Sequence, residues 1–113
     1  MADLFESWSH NDLRNHVLLQ LSAAGWMCWP NNTGMGWTMD KKRIQRAGLS
    51  GSTDIIALRP PNGKGCMVEI KIGRDQMREN QIDFRDAVLR VGGDHFVVHD
   101  STFERDIAAI LNT

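Results

Sequence analysis

Two stretches decide the reading of this chain: Thr53-Asp54-Ile55-Ile56-Ala57-Leu58 and Cys66-Met67-Val68-Glu69-Ile70-Lys71-Ile72, separated by Pro60-Pro61-Asn62-Gly63. The first is an apolar run behind a single acid, the pattern of a central strand buried on both faces. The second alternates. A strand's period of two puts Glu69 and Lys71 on one face and Val68, Ile70 and Ile72 on the other. The prolines, asparagine and glycine between them impose a turn, so the two strands form a hairpin and bring Asp54 and Glu69 onto neighbouring strands.

Upstream, Leu13, Val17, Leu18 and Leu21 recur at helical spacing behind the capping candidates Ser9, Asn11 and Asp12 and ahead of Gly25, which predicts a helix over 11–24. Trp26-Met27-Cys28-Trp29, stopped by Pro30, has the length of a strand, and both tryptophans are expected in the core. Residues 30–53 show no clean period and read as a long loop of the kind that is usually functional. Downstream, Met77, Phe84, Val88 and Val91 mark one stripe of a helix over 75–91, ended by Gly92-Gly93. His95-Phe96-Val97-Val98 reads as a fourth strand. Ser101 or Thr102 can cap a last helix in which Phe103, Ile107, Ile110 and Leu111 share a face. The order is α-β-β-β-α-β-α, an α/β chain with a central mixed sheet of about four strands flanked by helices.

A length of 113 residues fits one domain, 1–113, and 42% hydrophobic residues suffice for a core without disulfides. Cys28 and Cys66 form no C-x-x-C pair, and the four histidines show no metal-ligand spacing, so a structural zinc site is not expected and the histidines read as surface or capping residues. No apolar stretch approaches the roughly 18 residues of a membrane span, and the acidic N-terminus lacks the apolar segment of a secretion signal; a cytoplasmic protein with no membrane partner is expected. The net charge of -1 argues against a general polycation. Its distribution is uneven: residues 41–74 hold eight basic side chains against Asp54 and Glu69, a net +6. Lys41, Lys42, Arg43 and Arg46 lie in the long loop, and Arg74, Arg78 and Arg85 extend the positive surface. Beside a metal site they read as DNA-binding residues that grip phosphates.

Asp54, Glu69 and Lys71 interrupt apolar patterns where an unpaired charge is costly, so they are expected to be paired, metal-bound or put to use. Two carboxylates, with the backbone carbonyl of Ile70 as a further oxygen, suit Mg²⁺ or Mn²⁺. Lys71, on the same side of its strand as Glu69, is placed to orient or deprotonate an attacking water or to neutralise charge on a phosphate. Such a constellation hydrolyses phosphodiesters. The alternative is a cross-strand ion pair without chemistry.

Gly51-x-x-Asp54, a hairpin and then Glu69-Ile70-Lys71 resemble the PD-(D/E)xK nuclease superfamily. More narrowly, the chain resembles the VRR-NUC (virus-type replication-repair nuclease) family over nearly its whole length, through Gly25-Trp26, Trp29-Pro30-Asn31-Asn32-Thr33-Gly34, Gly48 to Asp54, Val68-Glu69-Ile70-Lys71, Gln81 and Gly92-Gly93. The resemblance implies a restriction-endonuclease-like αβββαβ core. It implies metal binding by Asp54 and Glu69, a catalytic Lys71, and a supporting Gln81. The family places a glutamate early in the first helix, where this chain reads His10-Asn11-Asp12; Asp12 is the candidate to replace it. Small members of the family resemble homodimeric nucleases that cleave branched DNA such as four-way junctions. Met35, Trp37 and Met39 are then candidates for a dimer contact. A flap nuclease or exonuclease of the same fold, and a catalytically silent DNA-binding module, are the alternatives.

Overall fold

The computed structural model describes residues 8–31, 35–37, 44–46 and 49–113, with 35–37 and 44–46 described as backbone only. In chain order the elements are α1 (His10–Ala23), β1 (Met27–Pro30), β2 (Met35–Trp37), β3 (Ile44–Arg46), β4 (Ile55–Arg59), β5 (Lys64–Lys71), α2 (Glu79–Arg90), β6 (Asp94–His99) and α3 (Phe103–Leu111), with a 3₁₀ turn at Asp100–Thr102. Four strands form one mixed sheet in the order β1-β4-β5-β6. β1 and β5 flank β4 antiparallel, and β6 runs parallel to β5 after the α2 crossover. The span expected to be one long loop instead carries a separate antiparallel hairpin, β2–β3, with Met35 opposite Arg46 and Trp37 opposite Ile44. Three-residue strands are too short to show a period of two, which is why the sequence pattern misses them.

Register sorts the side chains by face. Ile55 pairs with Val68 and Ala57 with Cys66, while Val68 lies beside Phe96 and Ile70 beside Val98. This face is covered by Leu13, Val17 and Leu21 of α1 and Ile107 and Ile110 of α3, which together with the strand residues form the buried core. Filling each large apolar position contributes about 1.5–3 kcal/mol. Ser9 caps α1 by accepting the Asp12 amide at 3.0 Å, and Gly25, at φ +91°, turns the chain out of the helix into β1.

The opposite face is thinner. There α2 buries no residue completely, and Phe84 and Val88 are only half-buried. Val91, placed on the stripe by its spacing, lies beyond the helix and is 82% exposed. β4 is therefore fully buried on one face only, at Ile55 and Ala57, and half-buried at Ile56 and Leu58. Trp26 is in the core, but Trp29 projects to the thin face, opposite Ile56, and is 38% exposed. Both cysteines are free thiols; burial pushes the Cys66 thiol up to about 12, so it behaves as a small apolar side chain. Among the described residues no helix is long and apolar enough to cross a membrane.

Candidate metal and phosphate site

The site forms where one ladder ends. β5 is paired with β4 only as far as Val68, opposite Ile55, whereas its pairing with β6 continues through Lys71. Past Val68 the β4 side of β5 is open, and Asp54 occupies that opening: its Oδ2 accepts the Ile70 amide at 2.7 Å. The N–H and C=O of one strand residue project to the same edge, so the Ile70 carbonyl also leaves β5 on the side of Asp54. Asn31, at the end of β1, holds the approach to Asp54. Its amide donates to the Asp54 carbonyl at 2.8 Å, and its side chain donates to Ser52 Oγ and the Thr53 carbonyl, both at 2.9 Å.

Glu69 and Lys71 are each only 2% exposed, on the face that α2 covers. Burial, above all, pushes the Glu69 carboxyl up to about 9; a side-chain hydrogen bond with Asp54 and the Asp54 charge add to it, against the pull of Lys71 and Arg78. At neutral pH the Glu69 carboxyl therefore holds its proton, which burial beside a second carboxylate favours. Glu69 Oε2 is buried without a hydrogen-bond partner. A buried, partnerless carboxylate oxygen is costly unless something outside the chain satisfies it.

Lys71 is held from two sides: its Nζ donates to Gln81 Oε1 at 2.8 Å and lies 3.5 Å from Asp75 Oδ2. Gln81 Oε1 also accepts the Arg78 amide at 2.9 Å, closing the first turn of α2. One glutamine oxygen thus ties the helix start to the lysine ammonium. The loop before Asp54 reaches the same helix. A Cβ on Gly51, which sits at φ +76°, would stand 2.1 Å from the Asn80 carbonyl oxygen, so only glycine admits that approach. Asn80 Nδ2 donates to Ser50 Oγ at 3.1 Å across the gap. A polar cavity of about 220 Å³ results, lined by Leu49, Ser50, Gly51, Ser52, Asp54, Glu69, Arg78, Asn80 and Gln81. A larger groove of about 420 Å³, along α1 and α3, is mostly apolar and holds no carboxylate pair.

The structure thus brings Asp54, Glu69, Lys71, Gln81 and the Ile70 backbone together and puts Arg78 at the cavity wall. Arg74 is exposed between β5 and α2. Asp12 is exposed, and two residues of helix place it about 200° around α1 from His10. It is His10, read from the sequence as a surface residue, whose Nε2 lies 3.3 Å from Asp54 Oδ1. The only sequence signal for it is its place in the stretch where the resemblance expects a glutamate. Asp75, four residues beyond Lys71, lies in the stretch 75–78 read as the start of the helix, but α2 begins only at Glu79, so its pairing with Lys71 gave no signal. Lys41, Lys42, Arg43 and the side chains of Met35, Trp37, Met39 and Arg46 lie outside the described residues.

The positive charge of residues 41–74 is not one continuous patch. Arg59 and Lys64 both pair with Asp94, Lys64 at 3.3 Å, at the far end of the sheet. Lys64 lies seven residue steps along β5 from Lys71, about 23 Å. Among the described residues no group of three or more His, Cys, Asp and Glu side chains is assembled to hold a metal ion. No model of a known protein family matches the chain, and no curated protein matches it.

Proposed function

We propose that this chain is a divalent-metal-dependent DNA endonuclease of the VRR-NUC type in the PD-(D/E)xK superfamily, hydrolysing phosphodiester bonds in branched DNA such as four-way junctions. The observation that carries the reading is geometric: Asp54 seated on the Ile70 amide at the open edge of β5, between Glu69 and Lys71, both only 2% exposed. The donors fit Mg²⁺ or Mn²⁺: hard carboxylate oxygens, one of them the partnerless Glu69 Oε2, beside the edge that carries the Ile70 carbonyl. Asp54, Glu69 and the Ile70 carbonyl would hold the ion, which when bound polarises a phosphoryl oxygen and acidifies water.

The chain's own residues do the remainder. Lys71, fixed by Gln81 and Asp75, presents a localised positive charge to an incoming phosphate or orients the attacking water. Arg78, exposed at the cavity wall, contacts the adjacent phosphate. The restriction-endonuclease-like core is supported by the mixed sheet β1-β4-β5-β6, with the carboxylates on its central hairpin. A homodimer suits a two-fold symmetric junction cut on opposing strands, because such a cut needs two sites related by a two-fold axis. The cytoplasm of a bacterium or of a phage-infected cell is the setting this reading proposes.

The test incubates the protein with single-stranded, duplex, flap and four-way-junction DNA in EDTA, Mg²⁺ or Mn²⁺ and maps the cuts. Metal-dependent incision nearest the junction, lost in Lys71→Met, is expected. Preference for flaps or free ends would replace the junction reading with the flap nuclease or exonuclease one. No cleavage of any substrate would leave a silent DNA-binding module.

A further inference from the structure

Lys71 is enclosed more completely than contact with a phosphate allows. The residue is 2% exposed, and the polar cavity is lined by Glu69 and Gln81 but not by Lys71. Gln81 takes one N–H of the ammonium from the helix side, at 2.8 Å. Asp75 covers another side: its Oδ2 lies 3.5 Å from Nζ, and its side chain is 49% exposed, so it stands between the ammonium and solvent. The two contacts are unequal. Gln81 sits in the first turn of α2 and is fixed there by the Arg78 amide, 2.9 Å from the same oxygen. Asp75 precedes the helix, in a stretch that is neither helix nor strand, and 3.5 Å is longer than the 2.7–3.2 Å of an ordinary N–H···O bond. Among the described residues Lys71 is the only partner of the Asp75 carboxylate. A half-exposed carboxylate at that distance is held weakly, whereas a phosphodiester offers the ammonium two free oxygens that share a negative charge.

Resting on the reading of Lys71 as the cation that meets the DNA phosphate, we propose that Asp75 is a built-in stand-in for that phosphate. It covers the Lys71 ammonium in the free protein and yields its place when a phosphate enters. The resting site is then self-inhibited. Gln81 keeps the ammonium aimed while Asp75 turns out into solvent, as its exposure permits. Exchanging one anion for another leaves a signature in the salt dependence. In the wild type the phosphate gains Lys71 but Asp75 is left unneutralised, so this contact adds little to the charge neutralised on binding. Without the Asp75 charge the same contact counts in full.

The experiment measures affinity of the full chain for four-way-junction DNA in EDTA across a salt series, for the wild type, Asp75→Asn, Asp75→Glu, Lys71→Met and the double variant Lys71→Met/Asp75→Asn. Asp75→Asn should bind about fivefold tighter than wild type at low salt and steepen the slope of log affinity against log salt by up to about 0.9. Asp75→Glu keeps the carboxylate and should stay near the wild type in both. In the Lys71→Met background Asp75→Asn should change neither, because the cation it covers is gone. Asp75 is exposed and outside the core, so circular dichroism should be the same for wild type and both Asp75 variants. Affinity in Asp75→Asn equal to or weaker than wild type would make Asp75 a permanent support of Lys71 and overturn the exchange. A gain of the same size in the Lys71→Met background would be general charge repulsion and would overturn it equally. Junction binding without cleavage in Mg²⁺ or Mn²⁺ would remove the nuclease reading, and the salt slopes would still decide this one; no binding to any DNA would overturn both.

Discussion

Replacing Glu69 with glutamine should make the metal-free protein more stable at neutral pH. The Glu69 carboxyl is raised from 4.5 to about 9 in the folded chain, mainly by burial and then by Asp54. A group whose folded value is raised contributes its full stability below the unfolded value and loses it as pH climbs toward the folded one. Stability should therefore fall between about pH 4.5 and 9, while the unfolded chain ionises and the folded one does not. At pH 7, about 2.5 pH units into that window, an unscreened group would cost about 3 kcal/mol at roughly 1.4 kcal/mol per unit. The cavity opens to water, so about 1–2 kcal/mol is the working figure. Glutamine keeps the shape and a donor for Asp54 while removing the proton linkage. Thermal melts in EDTA should show Glu69→Gln above wild type by about 4–8 °C at pH 7.5, and the two converging near pH 4. A variant less stable than wild type at pH 7.5, or a difference that does not change with pH, would refute the buried, protonated Glu69 carboxyl.

Other perturbations separate binding from chemistry. Asp54→Asn should abolish metal-dependent cleavage while DNA affinity in EDTA stays within about twofold, read by a filter or fluorescence binding assay; parallel losses would contradict the assigned role. Gly51→Ala pushes a methyl group against the Asn80 carbonyl and should cost about 2 kcal/mol or more with loss of cleavage, measured by denaturant melts alongside activity. Lys71→Met should reduce cleavage by at least about a hundredfold without weakening Mn²⁺ binding, since the ammonium is held by Gln81 and Asp75. Reversing Lys41, Lys42 and Arg43 together should weaken binding to every DNA and flatten the salt slope by up to about 0.9 for each phosphate no longer neutralised.

Much of this arrangement is legible in the sequence because it rests on strand alternation. Glu69 and Lys71 flank Ile70 in a strand with one apolar face, and strand alternation alone puts the acid and the lysine on one side. The helices are equally plain where they feed the core, as at Leu13, Val17 and Leu21. What is not legible depends on long-range approach. The length of β5 beyond β4 is what opens the edge for Asp54, and no local pattern encodes where a ladder stops. His10 reaches Asp54 only because α1 packs across the sheet, and Asp75 reaches Lys71 only because the chain folds back after β5. Trp29 and Val91 are apolar by composition but fall where α2 leaves the second face thinly covered. The charge asymmetry of residues 41–74 also misleads, since Arg59 and Lys64 are consumed by Asp94 at the opposite end of the sheet.

Proton release on metal binding tests the carboxylate pair most directly. Titrating Mn²⁺ into the protein at pH 7 in buffers of different ionisation enthalpy counts the protons expelled per ion. The wild type should release close to one proton and Glu69→Gln close to none. Tight binding with no release in the wild type, or equal release from both proteins, would mean that Asp54 and Glu69 do not meet around the ion.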